Sequence, residues 1–344
     1  MKIADEKLFI SIREFLTVYL PKQRCMSPHT IASYRTALNQ FLDYLEERKS
    51  LPLRKVTSDC FNTAFVTDYL NWLRESRSCS ASTRNQRLMA LRSFAKYCAT
   101  MDAGNMTVYA NVCRVPFQKA PKKTVDFIEE DAVQALLGQP DMRTKNGLRN
   151  GFFMILLYDT AARCQEMLDL RLGDFVTDTP SPYVYLTGKG AKTRAVPLME
   201  KTVAHYQRYL ERFHPQHSRK KDDLLFYTTM HGQRQPMSPD TVAYFLNKYA
   251  KTACDVNPHV PEGVHPHQFR HTRAIHLYRA GVPLTLVAEL LGHSQVSTTS
   301  IYAYADTEMK REAILKAQAN TLTPEENARW EGNESLIKRL YGLM

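Results

Sequence analysis

The sequence predicts a mainly α protein, with a helical N-terminal domain followed by a mixed α+β domain that carries a small antiparallel sheet. Three observations carry this reading. Apolar residues recur at helical spacing through the N-terminal third. A stretch rich in proline and lysine, VPFQKAPKKT from Val115 to Thr124, then interrupts the pattern like a linker. Beyond it, two short alternating runs flank a Gly-Lys-Gly turn inside an otherwise helical segment. The resulting division is residues 1–114, a linker at 115–124, and a second domain at 125–344. A chain of 344 residues suits two domains of ordinary size.

Taken in order, Ile10 to Leu20 reads as a helix broken by Pro21. Ser27-Pro28 opens a second helix running to about Arg48, a serine cap followed by proline at the first helical position. Ile31, Tyr34, Leu38, Phe41, Leu42 and Leu45 form its apolar stripe. A third helix covers Phe65 to Arg74, with Tyr69, Leu70 and Leu73 inward. A fourth starts at the Ser80/Ser82 caps and turns Leu88, Leu91, Phe94, Ala95 and Cys98 inward. Its other face carries Arg84, Arg87 and Arg92, which suit phosphate contacts. In the second domain, Glu129-Glu130-Asp131 marks an acidic helix start, and a long apolar helix covers 148–158. Tyr183 to Leu186 and Arg194 to Leu198 read as the two strands, and helices dominate again from Pro266.

Composition narrows the function. Hydrophobic residues are 44% and charged residues 24%, a normal globular balance. The longest purely apolar run, Phe152 to Leu157, falls far short of the ~20 residues that span a bilayer. The N-terminus carries charges throughout and lacks a signal-peptide apolar region. Seven cysteines without a Cys-x-x-Cys pair point to reduced thiols, a cytoplasmic protein and no zinc framework. The net charge of +11 is unevenly spread: residues 1–123 hold 20 Lys+Arg against 10 Asp+Glu, whereas 124–344 hold 26 against 25. A basic, Arg-rich first segment has the electrostatic footprint of a nucleic-acid binder.

Candidate chemistry lies in the second domain. His267 and Arg270, in HPHQFRHTRAIHL, are three apart and share a helix face. In LLGHSQVSTTSIYAY, Gly292 ends one helix, His293 follows it, and Tyr302 lies on the next short helix. Arg163 sits where the long apolar helix gives way to a new one, and Lys189 at the tip of the hairpin. Each residue alone has an ordinary structural explanation: a cap, a turn, a packed aromatic. Together they suit a phosphodiester. Guanidinium forks bind two phosphate oxygens and favour the charge that develops there. Tyrosine can be a covalent nucleophile, while histidine and lysine can move protons.

In this order the residues resemble the tyrosine recombinase (phage integrase) family. The first family box, T-G-L-R-x-x-E-L, appears as Thr160 to Met167, with Ala161 and Ala162 replacing the usual glycine and larger apolar residue. The hairpin G-K-G-x-K-x-R-x-V-P-L appears as Gly188 to Leu198, H-x-x-R-H as His267 to His271, and L-G-H-x-x-x-x-T-T-x-x-Y from Leu291 to Tyr302. The basic N-terminal region resembles the family's core-binding, SAM-like domain. The first predicted helix begins near the N-terminus, with no room for the arm-binding domain of some phage integrases, which points to an Xer-like or transposon-borne enzyme.

The resemblance implies a site-specific recombinase that acts on double-stranded DNA without a cofactor or metal. Tyr302 would attack a scissile phosphate, giving a 3′-phosphotyrosyl bond and a free 5′-hydroxyl. Arg163 and Arg270 would hold the non-bridging oxygens, Lys189 would protonate the leaving 5′-oxygen, His267 would assist proton transfer with Tyr302, and His293 would bind the phosphate. Glu166 would support the site, His271 would be a structural partner, and Tyr304 is the internal rival nucleophile. Four protomers would gather on paired sites, from a free protein that is monomeric. The C-terminal apolar residues Leu336, Ile337, Leu340 and Tyr341, after a helix start at Thr323-Pro324-Glu325-Glu326, would connect them. A type IB topoisomerase uses a similar residue set, and a non-catalytic DNA-binding protein would not need all of it. A zinc hydrolase fails because Gln268 stands where a zincin helix needs glutamate, and Gly188 to Thr193 lacks P-loop spacing.

Overall fold

A computed structural model of the chain describes residues 3–120, 125–188, 190, 192–293, 295–305, 311, 315 and 334–343, the side chains of Val296, Tyr304, Ala305, Leu336 and Ile337 excepted. The chain forms two compact units, residues 1–123 and 124–344.

The first unit is helical. Helix α1 (Glu6–Glu14) is capped by Asp5, whose carboxylate accepts from the Leu8 N–H at 2.9 Å. It does not stop before Pro21. It passes into a π-helix, Phe15–Gln23, that contains the proline. A π turn bonds five residues back, as the Arg24 N–H does to Tyr19 O at 2.9 Å. This wider turn accommodates a residue that cannot donate and whose ring would clash in an α turn.

Helix α2 (Pro28–Lys49) opens on the Ser27 cap, and α3 (Thr63–Glu75) on Asn62, whose side chain accepts from the Phe65 N–H at 2.8 Å. Helix α4 (Ala81–Met101) opens on Ser80 and is followed by α5 (Met106–Arg114). The inward stripes converge on an aromatic core. Phe15 meets Phe94 at 5.4 Å between ring centroids, and Phe41 meets both Phe61 and Tyr69. Each such side chain contributes roughly 1.5–3 kcal/mol on burial.

The arginine face of α4 differs from the expectation. Arg84 is 5% exposed and points its guanidinium at Pro116 O. Arg92 donates to the carbonyls of Cys113, at 2.9 Å, and Val115, and its guanidinium lies over the Phe117 ring. Arg87 donates to Gln40 Oε1 at 2.7 Å. The chain leaving α5 folds back along α4, and its carbonyls occupy the guanidinium groups of Arg84 and Arg92. Asn85 exchanges two hydrogen bonds with the Gln118 backbone, so residues 115–118 pack on this unit.

The second unit is mixed. Helix α6 (Glu130–Leu137) precedes α7 (Lys145–Thr160), the longer helix at the centre of the core. Phe152, Phe153, Leu156 and Leu157 are fully buried there. They meet α9 (Glu200–Phe213) through Tyr206 and Tyr209, Phe226, and α10 (Pro239–Cys254) through Phe245. Short helix α8 (Cys164–Leu168) leads to a three-stranded antiparallel sheet of β1 (Phe175–Val176), β2 (Tyr183–Thr187) and β3 (Thr193–Pro197). Tyr183 pairs with Pro197 and Thr187 with Thr193. Val184 and Leu186 alternate inward, as period two requires. A separate hairpin, β4 (Tyr227–Met230) and β5 (Gln233–Pro236), follows α9. The site then rests on α11 (Pro266–Arg279), α12 (Leu284–Leu291) and α13 (Ser300–Ala305). No helix among the described residues is long and apolar enough to cross a membrane.

Candidate active site

Three helix ends and one hairpin build the site. Helix α7 ends at Ala161, which holds φ +50° in the left-handed region. That cap turns the chain so that Arg163 begins α8 as its N-cap residue. The Glu166 carboxylate then accepts from the Arg163 backbone N–H at 2.9 Å and from its Nη1 at 2.7 Å. Across the site, Arg194 of β3 makes a forked contact with the same carboxylate at 3.1 and 2.7 Å, while its Nε donates to Leu290 O at 2.8 Å. Glu166 thus ties α8, the hairpin and the end of α12 together. Gly188 covers this pair closely, since a Cβ there would lie 2.9 Å from Glu166 Oε1.

Burial raises the Glu166 pKa, but Arg194 and Arg163 outweigh it and hold the carboxyl at about 2. A depressed carboxylate stabilises the fold fully above its ordinary value of 4.5, and the contribution fades as pH falls towards 2. It amounts to roughly 3 kcal/mol. Glu166→Gln should therefore be much less stable than the native chain at pH 7. Urea melts taken down to about pH 2 should show that gap closing below about pH 4.5.

Arg270, on α11, is 3% exposed. Its Nη1 donates to Ala161 O at 2.7 Å and its Nη2 to Leu291 O. Guanidinium carries five N–H donors, so three remain for an anion. Burial, and then Arg163, lowers its pKa to about 10, which leaves it charged at neutral pH.

Helix α12 ends at Gly292, with φ +64° and Arg194 Nη1 only 3.1 Å from where a Cβ would be. The His293 N–H closes the cap on Ala288 O at 2.9 Å. Its Nδ1 meets Thr299 Oγ1 at 2.9 Å, leaving Nε2 for another partner. Burial and the three arginines lower the His293 pKa to about 4, so it is neutral near pH 7. An open cleft of about 540 Å³ is lined by Arg163, Gly188, Lys192, Arg194, Gly292 and His293.

Tyr302, on α13, is 1% exposed and packs with Ala161, Ala274, Ile275, Val287 and Leu291. Burial raises its pKa, and Arg270 and Arg163 partly offset that. Its hydroxyl lies 2.9 Å from Nδ1 of His271. The described hydrogen bond to Tyr302 therefore falls on His271, and the His267 ring stands behind it at 6.3 Å between centroids. His267 keeps an exposed edge, yet partial burial and the Arg270 charge lower its pKa.

Arg163, Arg270, His293 and Tyr302 thus come together, with His267 at the margin. Lys189 lies outside the described residues, as does the side chain of Tyr304. Reading the sequence undervalued three groups: His271 against Tyr302, Arg194 against Glu166, and Thr299 against His293. All three stood in plain view inside the boxes G-K-G-x-K-x-R, H-x-x-R-H and L-G-H-x-x-x-x-T-T-x-x-Y. The arrangement is a positively charged cleft beside a buried phenol, suited to gripping a phosphodiester and attacking it.

Residues 126–309 match the model of the phage integrase family, and residues 12–100 match that of the phage integrase N-terminal SAM-like domain. An integrase/recombinase, y4rC, of Sinorhizobium fredii is 32% identical over 89% of this chain and 90% of its own length. The tyrosine recombinase XerC of Staphylococcus epidermidis is 31% identical over 89% of this chain and 96% of its own length. The fold is shared with the XerH site-specific recombinase, captured in a post-cleavage complex on its palindromic difH substrate. That match has a TM-score of 0.64 and 22% identity, over 91% of this chain and 89% of that one. The chain belongs to the phage integrase family and is a tyrosine-type site-specific recombinase.

Proposed function

We propose that the cleft cleaves and rejoins double-stranded DNA through Tyr302. The observation that carries this is the placement of the Tyr302 phenol on α13 beside the buried Arg270 fork on α11, with Arg163 close enough to bias the same phenol. Tyr302 Oη attacks a phosphodiester whose non-bridging oxygens lie on Arg163 and Arg270. His293 Nε2 donates to the same phosphate, and Lys189 protonates the departing 5′-oxygen. His267 assists the transfer of the Tyr302 proton. The bond energy of the broken linkage is kept in the phosphotyrosine, so a 5′-hydroxyl of a partner strand can reverse the step without ATP or metal.

The basic unit of residues 1–123 supplies much of the DNA affinity, and 124–344 hold the reacting groups. Function in the cytoplasm fits seven cysteines that are all unpaired thiols. The experiment uses a duplex selected by the full chain from a randomised library, nicked just beyond the cleavage point so that the short fragment bearing the freed 5′-hydroxyl diffuses away. In EDTA, a detergent-stable protein–DNA adduct should accumulate at the 3′-phosphate end. Absence of any adduct, or its loss on chelation, would overturn the reading.

Exchange between two duplexes needs four cleavage events, so four protomers assemble on paired sites, from a monomer when free. The helix Glu334–Leu340 and the residues after it offer a connector, with Leu340, Tyr341 and Leu343 66–78% exposed as apolar surface for a neighbouring protomer. The helix start at Thr323 lies outside the described residues, as do the side chains of Leu336 and Ile337. Deleting 333–344 should leave single-site binding intact and abolish the paired-site complex in native gels. Normal recombination by the deleted chain would contradict this.

A further inference from the structure

We infer that His271 is the immediate proton acceptor of Tyr302, an inference that rests on Tyr302 being the nucleophile. Position 271 is one residue past Arg270 and one helical turn past His267, so α11 presents all three towards α13. Of the two histidines, His271 is the one in hydrogen-bond reach, with Nδ1 at 2.9 Å from the phenol oxygen. Proton abstraction requires this kind of separation before any question of acidity arises. The Tyr302 backbone N–H bonds Thr299 O at 3.0 Å, and the Tyr302 side chain is fully enclosed, so the phenol is held against the imidazole.

The groups facing His271 are His265, His267 and Arg270 from α11 and its cap, Asp126 from the segment before α6, His293 after α12, and Tyr302 itself. Burial comes first, and then the positive members of this set outweigh Asp126. The ring is neutral above about pH 4, the form that can accept a proton. With the ring proton on Nε2, the phenol donates to Nδ1.

In cleavage the O–H proton passes to Nδ1, the Oη–P bond forms and the P–O5′ bond breaks. The 5′-oxygen takes its proton from Lys189. In rejoining, an attacking 5′-hydroxyl gives its proton to that amine, and the proton on His271 returns to Tyr302 as it leaves. His267, stacked on His271, assists from the second position.

The test is single-turnover adduct formation on the nicked duplex, followed across pH. His271→Asn keeps an acceptor near the Nδ1 position but cannot take up a proton at neutral pH. It should bind DNA as the native chain does and form adducts about 10²–10⁴ times more slowly. Its rate should climb with hydroxide from about pH 6 to about pH 9, as the phenol ionises unaided. The native profile should be flat over that range, a readout that needs no substitution at 271. A fluorinated tyrosine of lower pKa at position 302 should restore much of the His271→Asn rate, which a purely structural loss would not allow. His271→Gln provides a second variant with the same expectation.

A native rate that itself rises with hydroxide would overturn the inference. Variants with the native rate and profile would also overturn it. Faster adduct formation in the variants would do the same, because the bond would then merely stow the tyrosine. In each case, loss of adducts in Tyr302→Phe keeps the nucleophile in place; persistence of adducts in that variant sinks the nucleophile assignment instead.

Discussion

Tyr302→Phe should abolish covalent adducts while DNA affinity stays within a few-fold of native. The substitution removes one oxygen from an enclosed ring whose packing against Ala161, Ile275 and Leu291 is unchanged. The structural cost is the lost bond to His271, about 1 kcal/mol, too little to unfold a domain with a core of this size. Without the nucleophilic oxygen no phosphotyrosine can form, so the loss in cleavage should reach the detection limit. Tyr304→Phe, on the same short helix, is the control and should retain adducts. Denaturing gels after overnight incubation on the nicked duplex separate the two outcomes, and adducts in the first variant but not the second would move the nucleophile to Tyr304.

Arg270→Ala should slow cleavage by at least ~10²–10³ while weakening DNA binding far less. The basis is where the guanidinium sits. It is anchored by the carbonyls of Ala161 and Leu291, the ends of α7 and α12, so its remaining donors are held in place before the substrate arrives. Donors fixed in advance stabilise developing charge without reorganising, which makes them more valuable in the transition state than in the bound complex. The alanine variant also leaves two buried carbonyls unpaired, at about 1–3 kcal/mol each, so Arg270→Lys is the companion. Lysine keeps the charge but loses the fork, and should show the same split between a large rate defect and a small binding defect. Equal losses in rate and affinity would reduce Arg270 to a DNA anchor.

The parts of this molecule that could be read in advance share a local cause. Ser27-Pro28 and Ser80 announce α2 and α4 because a cap is settled by two or three adjacent residues. The hairpin was legible because Val184 and Leu186 alternate with Tyr185 and Thr187 around a glycine turn. Strands β4 and β5 were not, since Gln233 to Pro236 are all exposed and leave no alternation to find. Helix α5 is short, and its inward stripe is slight, with Val112 its one fully buried side chain. Arg84 and Arg92 misled for a different reason. An arginine facing phosphate and one facing a returning backbone look the same in sequence, and only the path of residues 113–118 decides between them.

At the site, the boxes gave residue types and order, while contact geometry came from the fold. Tyr302 and His271 are 31 residues apart, and Arg194 and Glu166 are 28 apart. Neither pairing follows from periodicity. Ala161 stands before Arg163 where the family box has glycine, the residue that most easily takes a left-handed turn. The left-handed turn forms nonetheless, its alanine methyl buried against the Tyr302 cluster.

The central claim is that this chain joins itself to DNA through Tyr302. The most direct measurement is tandem mass spectrometry of the native adduct after nuclease trimming and trypsin digestion. Cleavage after Arg279 and Lys310 releases one peptide that contains both Tyr302 and Tyr304. Fragment ions should place the residual 3′-linked nucleotide on Tyr302. A nucleotide on Tyr304, on a serine of the same peptide, or on any residue outside it would contradict the account.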